Sequence, residues 1–294
     1  MARLTSRARS AKLRSVHSPH RPGIIAPELL MLAYRGGIFP MADSRDDPEV
    51  FWVEPHTRAI LPLEGFHCSR SLARVLRRGR FRVTCNAAFA RVMEACAAPR
   101  RAAHDGGDDA GGGESWISGR IMASYLELHR LGLAHSLECW QDGALVGGLY
   151  GVGFDRVFCG ESMFSLVPDA SKVALAWLVA ALRQARVELL DCQFLTPHLA
   201  SLGAVEMSQA GYLDLLKAAQ RPYSGADLAA GADFSAGMAL GSGDGATAGD
   251  AGAAEGAALA LPEGFAALLA AAGAAGGSSS SPGNFIAQSL TQTS

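Results

Sequence analysis

"AHSLECWQDGALVGGLYGVGFDRVFCGESMFS", residues Ala134 to Ser165, is the stretch on which the fold turns. Aromatic and aliphatic residues recur along it with a period near two. Asp142-Gly143 and Phe154-Asp155 interrupt the pattern with residue types that close tight turns. It therefore reads as an antiparallel meander. Its last run, "VFCGESMFS" (Val157 to Ser165), looks like a buried strand, yet Glu161 stands in the middle behind Gly160. A carboxylate is costly to bury alone, so a partner for Glu161 is expected elsewhere in the chain.

The flanking segments set the fold class. Before the meander, "ISGRIMASYLELHRLG" is an amphipathic helix stopped at Gly132. After it, "DASKVALAWLVAALRQARV" reads as a capped helix, "ELLDCQFL" as a strand, "PHLASLGAVEMS" as a turn region and "AGYLDLLKAA" as a last helix. Upstream, "PELLMLAYRGGIFPM" reads as a short helix entering a Gly-Gly turn, and "SRSLARVLRRGRFRVTCN" as a helix followed by a strand. The expectation is an α+β protein: a mixed sheet with flanking helices in the GNAT-like (acetyltransferase-like) order, plus a small N-terminal α/β domain. The pattern shifts near residue 115. The expected domains are a disordered basic extension (1–22), a small N-terminal domain with a basic helix (23–114), a GNAT-like catalytic domain (115–220) and a low-complexity Ala/Gly-rich tail (221–294).

Composition narrows the function classes. A chain of 294 residues, 49% hydrophobic, can bury a sizeable core, and a net charge of −2 means that any basic surface is local. Six cysteines form no CxxC pair, which favours reduced thiols in a cytosol over disulfides or zinc. No apolar run reaches the roughly 18 residues of a membrane span. The serine- and arginine-rich first 22 residues also read as a transit peptide, with a plain basic extension favoured. "HDGGDDAGGGE" (104–114) lacks the acidic spacing of a calcium loop, so no metal is expected.

Seven blocks carry a resemblance: "GIFPM", "LHRLGLAHSLECW", "LVGGLYGV", "FCGESMFS", "ASKVAL", "DCQ" and "HLASLGA". In this order and spacing they resemble the bacterial leucyl/phenylalanyl-tRNA–protein transferases, over most of residues 22–217. The resemblance implies an enzyme that moves leucine or phenylalanine (with methionine as a further donor) from a charged tRNA. The acceptor is the α-amine of proteins beginning with Arg or Lys, and the product is a destabilising N-terminus for the N-end rule. It implies cytoplasmic action, with charged leucyl- or phenylalanyl-tRNA and the acceptor protein as partners, no membrane and no cofactor. It also implies Gln193 and Asp191 as the catalytic pair and Glu161 as its third member. Two positions depart from the family: Val53 in "FWVEP", where a second aromatic is common, and Leu149, where methionine is common.

That reaction needs an apolar socket, a basic surface and polar groups for an amine. Socket candidates are Trp116, Leu149, Phe158, Met163, Phe164, Leu178 and Leu182, residue types that line pockets and interiors alike. The basic surface is "RSLARVLRRGRFR", where Arg70, Arg74, Arg77, Arg78, Arg80 and Arg82 occur without an acid; Lys172 adds a charge near a helix start. Such a run is either a solvated face or a phosphate surface. Asp191 and Gln193 lie two apart on one strand, so they share a face and can meet Glu161 if the two strands are close. The expected division of labour has Glu161 holding the cationic N-terminus, Gln193 orienting its amine and Asp191 orienting the Gln193 amide. A structural polar network tying two strands is the other reading. Three alternatives remain: a coenzyme A-dependent N-acetyltransferase, which lacks its glycine-rich pyrophosphate loop in "SLVPDASKVAL"; a cysteine hydrolase on Cys192 with His198 or His135; and a non-catalytic binder of basic N-termini.

Overall fold

The computed structural model describes residues 23–99, 115–221, 259–275 and 282–291. The chain opens with α1 (Pro27–Arg35), a Gly36-Gly37 turn, and the strands β1 (Phe39–Met41), β2 (Phe51–Val53) and β3 (Thr57–Ile60). Next come α2 (Arg70–Arg77), β4 (Arg82–Cys85), α3 (Phe89–Ala97) and α4 (Gly119–Arg130). The meander is β5 (Ala134–Gln141), β6 (Ala144–Phe154) and β7 (Val157–Ser165), turning at the expected places, where Asp142, Gly143 and Asp155 adopt positive φ. The chain continues with α5 (Ala170–Gln184), β8 (Leu189–Gln193), α6 (Pro197–Ser201), β9 (Val205–Ser208) and α7 (Gln209–Ala219). It ends with α8 (Leu261–Ala275) and α9 (Pro282–Thr291).

Seven strands form one sheet in the order β4-β5-β6-β7-β8-β3-β9, and β1 pairs only with β2. All neighbours are antiparallel except β7 and β8, which run parallel and are joined by α5. The architecture is the α+β mixed sheet that the sequence implied, with β9 added from the segment read as a turn. Helices α2, α5, α8 and α9 bury their apolar faces on one side of the sheet. Helices α1, α3, α4 and α7 cover the other. β3 and β4 pair directly with β8, β9 and β5, so strands from both sides of residue 114 share one sheet.

Two further differences have local causes. Asp169 does not cap α5: its backbone is left-handed (φ 68°) and its carboxylate meets Lys172 at 3.2 Å, while Ser165 Oγ accepts the Ser171 N–H. The expected tail contains real helices among its described residues. Leu261, Phe265, Leu268 and Ala272 of α8 recur at helical spacing, and they are buried with Ile286, Ala287 and Leu290 of α9. Each large side chain so buried contributes about 1.5–3 kcal/mol, and alanine costs little to hold helical, so an Ala-rich composition does not prevent docking. The expected extension 1–22 and the rejected calcium loop 104–114 lie outside the described residues.

Candidate active site

Glu161 owes its position to a β-bulge. Between β6 and β7, Tyr150 faces Ser162 and Gly151 faces Gly160, so Glu161 is the extra residue on β7. Only 8% of it is exposed. Its Oε1 accepts from Tyr34 Oη and from Gln193 Nε2, both at 2.8 Å, and its Oε2 accepts from Tyr125 Oη at 3.1 Å. The Tyr34 and Tyr125 hydroxyls also touch each other. Burial pushes the Glu161 carboxyl up to about 7; the three donors pull against that rise, and the nearby Asp191 charge adds to it. The partner that the sequence demanded is thus two tyrosines and an amide.

Gln193 arrives through the parallel pair. Cys159 of β7 stands opposite Asp191 of β8, so Glu161 and Gln193, each two residues further along, come next on the same face. Gln193 has φ 63°, and Phe194 N–H donates to Cys192 O at 2.7 Å, the features of the rarer, positive-φ γ-turn. Non-glycine residues held this way store about 1–3 kcal/mol of strain, and such strain clusters at functional sites. The Nε2 group faces the carboxylate, and among the described residues no donor is paired with Gln193 Oε1.

Asp191 is fully buried and makes a forked ion pair with Arg58, whose Nε donates to Oδ1 at 2.9 Å and Nη2 to Oδ2 at 2.5 Å. Tyr212 Oη donates to Oδ2 at 3.0 Å, and the Gln193 backbone N–H donates to Oδ1 at 2.8 Å. Arg58 lies over the rings of Phe39 and Tyr212 and donates through Nη1 to Gly37 O at 3.0 Å. Burial works against its charge, and Asp191 more than offsets this, so the guanidinium stays protonated. Asp191 therefore fixes the Gln193 backbone, while Glu161 directs its carboxamide. Glu161, expected to hold a cationic N-terminus, takes two protein donors on Oε1 and one on Oε2.

The seven socket candidates do not converge. Leu149, Phe158, Leu178 and Leu182 are buried between the sheet and α5, with Met163 packed against them across from Leu149. Phe164 belongs to the opposite face, and Trp116 packs there, half-buried. The split follows from the bulge, since Glu161 and Phe164 share a face although they are three residues apart. Two surface hollows, of about 350 and 360 Å³, lie elsewhere, one beside Pro62, Arg183 and Leu215 and the other beside Ile24, Arg45 and Arg120. Cys192 packs on the α5 side, away from Asp191 and Gln193, and burial pushes its thiol up, away from the thiolate form. His135 is buried, and burial lowers its pKa to about 4.

The arginine run is on the surface: Arg70, Arg74, Arg77, Arg78, Arg80 and Arg82 are all exposed. Ser69 caps the helix through Leu72 N–H, and Leu72, Ala73 and Leu76 turn inward. Arg82 and Arg91 both lie over the Trp140 ring. Lys172 is paired with Asp169.

Two family models cover this architecture: leucyl/phenylalanyl-tRNA protein transferase over residues 60–217 and its N-terminal domain over residues 23–56. The chain belongs to this family. A leucyl/phenylalanyl-tRNA–protein transferase of Novosphingobium aromaticivorans is 67% identical over 273 residues, 93% of this chain and 98% of that protein. Namesakes from Zymomonas mobilis and Rhizorhabdus wittichii are 54% and 53% identical over 68% and 70% of this chain, and over 71% and 79% of their own lengths. The two matched segments meet at residues 57–59, within β3. Arg58 falls between the two matched segments. Sequence reasoning missed it along with Tyr34, Tyr125 and Tyr212. Three tyrosines on inward helix faces were the available signal, because a buried phenol hydroxyl usually finds a partner.

Proposed function

We propose that this transferase moves leucine or phenylalanine, with methionine as a further donor, from aminoacyl-tRNA to the α-amine of proteins beginning with Arg or Lys. The products enter N-end rule degradation in the cytoplasm. The observation carrying the mechanism is the Gln193 carboxamide, held through Nε2 by Glu161 and through its backbone by Asp191, with Oε1 left to accept. An amide oxygen is a weak base and a good acceptor, so it orients the amine N–H toward the ester carbonyl. The amine nitrogen bonds to the carbonyl carbon, the ester C–O bond breaks, and the proton given up by nitrogen ends on the released ribose oxygen. The ester is already activated, so most of the acceleration comes from positioning. The donor side chain takes an apolar socket for which Leu149, Phe158, Met163, Leu178 and Leu182 on the α5 side, and Trp116 and Phe164 on the other face, are the candidates. Arg74, Arg77, Arg78 and Arg80 meet tRNA phosphates, and Lys172 adds charge once released from Asp169.

The test is transfer of labelled leucine from charged tRNA to peptides differing only in residue one. Arg- and Lys-initiated peptides should be labelled and an Asp-initiated one should not. No transfer to any peptide, or acetylation from acetyl-coenzyme A instead, would overturn the reading.

A further inference from the structure

Helices α8 and α9 lie beyond residue 217, where the matched family segment ends, and they pack on the face that carries the arginine helix. At Gly283, near the start of α9, an added Cβ would run into the Leu76 carbonyl oxygen of α2. Ile286, Ala287 and Leu290 are buried in the same cluster as Leu72 and Leu76. Arg183 of α5 ties the pieces together, donating to Ser289 O of α9 at 3.2 Å and to Leu63 O at 3.2 and 2.5 Å. Helix α8 completes the support: Phe265 rests on Trp177, and Gly264 sits so close to α5 that a Cβ would stand 2.8 Å from Ala181 O.

The arginine helix needs such support. It has eight residues, too few to be stable alone, and no acid in its first turn. Arg70 and Arg74, and Arg74 and Arg77, are like charges at helical-neighbour spacing, which weakens it further. Helix α9 covers its apolar side while contributing no charged residue, "PGNFIAQSLT", so the arginine field is left undiminished. We propose that α8 and α9 act as a brace that holds the α2 arginines in the arrangement tRNA phosphates meet, with Gly283 as the positioning residue at the contact. The proposal rests on the reading of α2 as the tRNA surface.

The test uses full-length Gly283→Val and, as a milder perturbation that keeps the fold, Leu290→Ala. The readouts are KM for leucyl-tRNA, KM for an Arg-initiated peptide, kcat, and native-state trypsin cleavage after Arg74 and Arg77. Undocking should raise tRNA KM about 5–10-fold for Gly283→Val, and less for Leu290→Ala, because α2 must then be ordered at binding. Peptide KM and kcat should stay within about twofold while trypsin cuts α2 faster. Unchanged tRNA KM and unchanged cleavage in both variants would overturn the brace; so would a loss of every parameter in step with folded protein. A separate Arg77→Ala/Arg78→Ala/Arg80→Ala protein keeps the two readings distinguishable. If its tRNA KM and salt slope match the parent while Gly283→Val still speeds cleavage, α2 is not the tRNA surface and the brace has no role in tRNA use. If they shift and Gly283→Val changes nothing, only the brace falls.

Discussion

Replacing Glu161 with glutamine should change how stability depends on pH, and the structure fixes the sign. Burial raises the folded-state pKa of Glu161 to about 7 from its usual 4.5. Between these values the unfolded chain has lost the proton and the native one keeps it, so the native state binds more protons and stability falls as pH rises. The stabilising contribution is full below pH 4.5 and gone above about 7, a loss of about 3 kcal/mol. Glutamine cannot titrate, so the wild-type advantage over Glu161→Gln should shrink by about that amount across this window. His135 acts in the opposite direction: its lowered pKa removes stability as pH falls from 6.5 toward about 4. Both proteins share that residue, so it cancels in the difference. Urea unfolding of the two proteins at pH 5 and pH 8, followed by tryptophan fluorescence, measures it. A pH-independent difference would show that Glu161 titrates normally, and a growing wild-type advantage would show a paired carboxylate. Either result would refute the conclusion that burial outweighs the three donors at Glu161.

Arg58→Met should cost about 3–5 kcal/mol, because it leaves Asp191 buried without its cation. Arg58→Met/Asp191→Leu should recover part of the stability in a urea titration and none of the transfer rate, since the Gln193 N–H then has no side-chain acceptor to hold it. Gln193→Gly removes the carboxamide and also relieves the positive φ. Its unfolding free energy should stay within about 1 kcal/mol of wild type, strain release offsetting the lost hydrogen bond. Its kcat should fall on the order of 10²-fold or more with tRNA affinity kept, and an equal loss of stability and activity would make Gln193 a structural residue.

Period and spacing carried most of the sheet. The meander, its two turns and the pairing of Asp191 with Gln193 on one face all follow from residues two apart and from Asp-Gly chemistry, and local sequence contains both. What it does not contain is the bulge at Glu161, which appears only once β6 and β7 are in register, and which puts Phe164 on the same face as Glu161 and Met163 on the other. Arg58 was illegible for another reason: a lone arginine in a short strand normally faces water, and only the β8–β3–β9 order puts Asp191 within reach. In the C-terminal segment, composition outweighed periodicity. Leu261, Phe265 and Leu268 stand at helical spacing within a run of alanines that looks like low complexity.

Both backbone irregularities of the site occur where the one parallel pair gives out. Beyond Cys159 and Asp191, β7 bulges and β8 turns sharply, so the backbone groups that would have continued the ladder are replaced by a side-chain bridge from Gln193 to Glu161. Neither distortion is favourable by itself, and each is held from outside the two strands. Tyr34 on α1 and Tyr125 on α4 grip Glu161, while Arg58 on β3 and Tyr212 on α7 grip Asp191, which in turn holds the Gln193 N–H. Four elements from distant parts of the chain thus over-determine one amide. That is the condition under which strain persists in a native state, and it also leaves a positioned acceptor oxygen with little freedom to lose when an amine arrives.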